Sequence, residues 1–203
     1  MLDKTVTNNS ENNYKFVIIT LDAHSAGPVN RVQRKLKPYF PSLEISVHAA
    51  AEWSENPKAL EKAKSDISSA NIIVANLLFL EEHVKAILPS LEKKRSECDA
   101  LVGCISSKEI VSLTVLDRLD MSKPTTGFLR LLKRLRGSSK SGKPASGKSQ
   151  MSILRKLPKI LRFIPGKAQD VRSYFLTMLY WLGGSDDNVE SMVVYPVSYT
   201  HLT

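Results

Sequence analysis

The feature that most constrains this chain is a fourfold alternation of short apolar runs with helical stretches, all ahead of Ser106. Phe16–Leu21 is continuously apolar and rich in β-branched residues, as a strand buried on both faces must be. Pro28–Lys37 reads as a helix ended by Pro38 and Pro41, and Leu43–His48 alternates apolar with polar residues, like a strand nearer an edge. Pro57 opens a helix to about Ile67, Asn71–Ala75 is a third strand, Glu81–Arg95 a helix, and Ala100–Ile105 a fourth strand. Short strands alternating with helices predict an α/β fold: an open, mostly parallel four-stranded sheet flanked by helices, Rossmann- or flavodoxin-like.

After Ser106 the strand signals stop. Glu109–Leu116, Thr126–Arg136, Gln150–Arg162 and Lys167–Leu182 read as helices. The last sets Val171, Phe175, Met178 and Leu182 on one face and ends at Gly183-Gly184. The predicted organisation is a disordered polar tail (1–14), an α/β domain (15–121) and a basic helical segment (122–194) containing a flexible Gly/Ser/Lys linker (137–149).

Charge is distributed unevenly. Between Met121 and Gln169 there is no Asp or Glu, while thirteen Lys and Arg fall there, more than the whole formal excess of +9. The remainder is therefore mildly acidic, and the basic stretch implies an anionic partner or an acidic neighbouring surface. No apolar run approaches the roughly 20 residues a membrane-spanning helix needs. The N-terminus lacks the apolar core of a secretory signal and the arginines of a transit peptide, so a cytoplasmic location is expected. Cys98, just before a predicted buried strand, and Cys104, near its end, read as two reduced thiols.

Gly142–Ser149 fits the phosphate-loop pattern G-x-x-x-x-G-K-S/T letter for letter. That loop works only between a buried strand and a long helix. Here a basic amphipathic stretch precedes it, and Pro158 interrupts the helix after it, so the segment reads as linker and not as an ATP site. Asp22, His24, Asn76, Glu81, Glu82 and His83 fall at or just beyond strand ends, where open parallel sheets bind ligands. They could line one crevice. The plainer reading makes Asp22 and Glu81 helix caps and the imidazoles partners of backbone groups. Zinc-type ligand spacings are missing, and no metal ligand is assigned. Arg130, Lys133, Arg134 and Arg136 share one helix side, opposite Phe128, Leu131, Leu132 and Leu135. Such a face serves solvation, a protein partner or peripheral membrane contact; no nucleic-acid partner is expected. No nucleophile–base spacing points to covalent catalysis, and no catalytic residue is assigned.

Gln150–Asn188 is the most distinctive stretch, with the pattern LRxLPKxLRFIPGxAQDxRxYFL followed by YWLxGSxxN. Together with Leu21–His24, Leu78–His83 and Cys98–Ala100, in that order, it resembles the N-terminal region of the porphyrin-binding H-subunit family of magnesium chelatase. The resemblance covers roughly residues 15–194, and the H subunit is several times longer. It implies an enzyme complex of (bacterio)chlorophyll biosynthesis that inserts Mg²⁺ into protoporphyrin IX. ATP would be hydrolysed by partner AAA+ subunits and not by this chain, which is expected to be inactive alone. Candidate porphyrin contacts are Arg155, Arg162 and Arg172 for the propionates, with Tyr174, Tyr180 and Trp181 for the ring. Core packing of those aromatics, and pairing of Asp170 with Arg172, are the competing readings. Two other roles stay open: a docking module for partner subunits or for the remainder of the H subunit, and the large subunit of a cobalt chelatase. Residues 195–203 depart from the family pattern and read as non-native sequence.

Overall fold

The computed structural model describes residues 13–21, 23–123 and 167–201. Asp22, the predicted helices Thr126–Arg136 and Gln150–Arg162, the phosphate-loop lookalike and the linker lie outside the described residues, as do Arg155 and Arg162. Seven elements follow the sequence reading closely: β1 (Tyr14–Thr20), α1 (Ala26–Leu36), β2 (Leu43–Ala49), α2 (Pro57–Ser68), β3 (Ile72–Asn76), α3 (Glu81–Lys94) and β4 (Ala100–Cys104). Helix α2 starts where its chemistry predicts. Pro57 needs no hydrogen-bond partner in the first turn, and the Asn56 side chain accepts from the Ala59 N–H at 3.3 Å.

The sheet is larger and less uniform than the expected four parallel strands. Its order is β2-β1-β3-β4-β5-β6, and only the first four strands run parallel. The expected helix Glu109–Leu116 ends early, as a short α4 (Lys108–Ser112). The chain then forms an antiparallel hairpin, β5 (Val115–Leu116) and β6 (Leu119–Asp120), which turns at Asp117 with φ 47°. Thr114 is the cause: its Oγ1 accepts from the Gly103 N–H at 3.0 Å and donates to the Gly103 carbonyl at 3.2 Å. That pair of hydrogen bonds holds the chain against β4, and the hairpin extends the sheet past the edge that β4 would otherwise leave open.

Alternate strand residues feed two cores, as the two-residue period of a strand requires. Val17, Ile19, Ile73 and Leu101 meet α2, α3 and α4 on one face. Phe16, Ile18, Val74 and Val102 meet α1 on the other, together with α5 (Lys167–Gly183) and α6 (Asp186–His201). Each fully buried aliphatic or Phe side chain contributes about 1.5–3 kcal/mol. In α5, Val171, Phe175 and Met178 are buried as expected, but Leu182 is 49% exposed. Trp181 takes the inward position at the end of that face, and Gly184, at φ 62°, stops the helix. On the surface, Arg31 of α1 grips the Asp186 carboxylate with two bonds of 2.7 and 2.8 Å.

Candidate functional site

In this strand order the chain leaves β1 toward β2 on one side and reaches β3 on the other, so the topological switch point falls between β1 and β3. Open α/β sheets bind ligands at the carboxyl ends of the strands flanking that point. Here those ends meet directly: Thr20 Oγ1 donates to Asn76 Oδ1 at 2.9 Å, and both residues are buried. Asn76 is 0% exposed, and its Nδ2 donor has no partner. The loops beyond β3 and β4 are tied together. Leu77 N–H donates to the Ile105 carbonyl at 2.9 Å, and Ser107 N–H to the Leu78 carbonyl at 2.8 Å. Leu77 and Ile105 both hold positive φ, 57° and 48°, a strained conformation often found beside binding sites.

Of the other described crevice candidates, His83 is brought inward, and His24, Glu81 and Glu82 are not. His83 is 7% exposed, lies edge-on to Trp53 with ring centres 6.0 Å apart, and has no partner for Nδ1. Glu81 is exposed and pairs with Lys85 one turn on; the helix cap position belongs to Leu80, so the expected Glu81 cap does not form. Glu82 and His24 are also exposed. Asp22 lies outside the described residues. Among the described residues no group of three or more His, Cys, Asp or Glu could hold a metal ion.

The described porphyrin candidates are spread over α5. Tyr174 is buried and donates its hydroxyl to the Gly103 carbonyl at 3.2 Å, and Trp181 is buried in the core. Tyr180 is half-buried against that core. Arg172 Nη1 donates to the Tyr195 hydroxyl at 2.9 Å, with its guanidinium 5.9 Å from that ring centre. The expected Asp170–Arg172 pair is replaced by a bond from the Arg118 N–H to Asp170 at 3.1 Å. Burial then raises the Asp170 carboxyl above its ordinary value.

A second polar cluster has no counterpart among the sequence expectations. Asp66 on α2 accepts from Lys15 Nζ at 2.7 Å and from His48 Nε2 at 2.8 Å. Burial lowers the His48 imidazole and outweighs the pull of Asp66, so the ring is neutral near pH 7 and donates its Nε2 proton. Burial alone would raise Asp66, but the Lys15 bond and charge prevail and hold it below its ordinary value. Beside the cluster, a cavity of about 470 Å³ runs along β2, walled by residues of α1 and α2. The signal for this site is spread over Lys15, His48 and Asp66, which meet only because Asp66 of α2 reaches one residue on β1 and one on β2.

A family model described as a domain of unknown function, DUF3479, matches residues 15–175. The chain belongs to that family. The chain is 55% identical over 185 residues to the magnesium-chelatase H subunit of Cereibacter sphaeroides, and 56% identical over 184 residues to that of Rhodobacter capsulatus. It is 34% identical over 193 residues to the chloroplastic ChlH subunit of magnesium chelatase from Oryza sativa. Each match takes in 91% of this chain. The chain spans about 15% of the length of the two bacterial relatives and 14% of the rice protein. Among the described residues no helix is long and apolar enough to cross a membrane.

Proposed function

We propose that this chain is the N-terminal part of a magnesium-chelatase H subunit. The observation that carries the reading is 55% identity to such a protein over 91% of the chain. The whole subunit would bind protoporphyrin IX and, with AAA+ partners hydrolysing ATP, insert Mg²⁺ to give Mg-protoporphyrin IX. Porphyrin and Mg²⁺ are its substrates. We assign to this chain a positioning role in that assembly. Tyr174 and Trp181 use their rings in the core, and among the described residues no metal-binding cluster occurs. Porphyrin contact from α5 would fall to Arg172 and Tyr180, together with Arg155 and Arg162.

The test is a chimera in which this chain replaces the matching stretch of the Rhodobacter capsulatus H subunit. With partner ATPases, Mg²⁺, ATP and protoporphyrin IX, the chimera should form Mg-protoporphyrin, and the 203-residue chain alone should not. A folded but inactive chimera, or turnover by the chain alone, would count against the reading.

A further inference from the structure

Strand β2 is an edge of the sheet, and among the described residues it pairs with β1 alone. In that parallel ladder the Tyr14 N–H donates to the Ser42 carbonyl at 2.9 Å, which turns the even-numbered residues of β2 toward β1. The N–H and C=O groups of Ile45 and Val47 therefore point away from the sheet. Neither residue's backbone finds another partner among the described residues.

Unpaired backbone at an edge is ordinary when water covers it. Ile45, however, is only 5% exposed, and both residues line the cavity of about 470 Å³ between α1 and α2. Two further polar groups on the same wall are unpaired and buried: Ser46 Oγ, and Nε1 of Trp53, a residue 5% exposed. Natural edge strands are blunted by Pro, Lys or a bulge. The sequence Leu-Glu-Ile-Ser-Val-His-Ala has neither residue, and its register with β1 is unbroken over seven pairs.

We propose that the β2 edge is a docking site for an extended peptide segment, which adds as a further strand and is read through its backbone. Its occupant is a segment of the same subunit from outside these 203 residues. This rests on the proposed function: the chain spans about 15% of its bacterial relatives' length, so most of such a subunit is available to supply it. The groove favours a single strand over a second copy of this domain. Its walls, α1 and α2, rise on both sides of β2 and would keep a partner's own flanked β2 from reaching Ile45 and Val47.

Amide hydrogen exchange decides the matter, comparing the 203-residue chain with the active chimera. Ile45 and Val47 amides should exchange roughly 10-fold or more slowly in the chimera, with the inner strand β3 unchanged. Val47→Pro removes only an outward donor, so it should leave the chain folded while abolishing Ile45 protection in the chimera. Equal exchange of Ile45 and Val47 in an active chimera overturns the proposal. Protection that appears in the chain alone and grows with its concentration overturns it in favour of a second copy. An inactive chimera speaks against the proposed function instead. If Val47→Pro fails to fold, the comparison of unsubstituted proteins still decides.

Discussion

Tyr174 and Gly103, 71 residues apart, are joined by a buried hydrogen bond in which the tyrosine hydroxyl donates to the glycine carbonyl at 3.2 Å. The same carbonyl accepts from Thr114, so one atom of β4 holds both the terminal helices and the edge hairpin. Tyr174→Phe leaves that carbonyl with Thr114 alone and keeps the ring's packing. It should destabilise the chain by about 1–2 kcal/mol, read as a lower urea midpoint with an unchanged slope. An unchanged midpoint would mean that α5 is held by apolar contact alone.

Gly103 also allows α4 to approach β4. A Cβ at this position would sit 2.2 Å from the Ile110 carbonyl oxygen and 2.8 Å from its carbon, both rigid backbone atoms. Gly103→Ala should therefore cost about 1–3 kcal/mol or more, the range of overpacked cores. Near-normal stability in equilibrium unfolding would show that α4 moves away without penalty.

The Lys15–Asp66–His48 cluster sets a pH dependence whose sign can be worked out. His48 sits below its ordinary 6.5 in the folded chain, so as pH falls through that region the unfolded chain binds a proton the folded chain resists. Stability must then fall. Asp66 sits below its ordinary 3.8, so its contribution is complete above that value and is lost on further acidification. Lys15 is raised above 10.5, net of an opposing burial effect, and its contribution is lost only in strong alkali. Urea midpoints should decline from pH 7 toward about pH 5, and His48→Gln should flatten that decline. An equal slope in the variant would assign the effect to other groups.

The two thiols should differ in reactivity. Burial pushes the Cys104 thiol up to about 12, and the residue is 0% exposed. Cys98 is also raised by burial but is only half-buried. Because the thiolate is the reactive form, a thiol-specific reagent should reach Cys98 slowly in the native chain. Cys104 should react only after denaturation. Rapid modification of both would show local opening around β4.

Much of the sheet was legible because β1, β3 and β4 are continuous apolar runs bounded by turn residues, a signal that needs no tertiary context. The hairpin was not. Val115, Leu116 and Leu119 give two-residue strands with no period to detect, and only the Thr114–Gly103 bonds select strand over helix. At the strand ends, Asn76 and His83 could be located by counting from β3. The shift of the cap position from Glu81 to Leu80 could not, because Leu80 makes no side-chain cap bond and is a residue type that caps helices poorly. The alternation of Leu43–His48 marked β2 as a strand nearer an edge, but which of its backbone groups the groove leaves open depends on the β1–β2 register.

Helices α5 and α6 supply Val171, Phe175, Met178, Val189 and Met192 to the core that β1, β3 and β4 share with α1. A growing polypeptide makes those residues well after the strands they cover. While it is being synthesised, the α2–α3 side can close once α4 has emerged, whereas the α1 side stays greasy until α5 and α6 follow. Ribosome-bound chains halted before Lys167 should therefore be sticky, chaperone-dependent intermediates, and synthesis of α6 is the step that hides the α1 face.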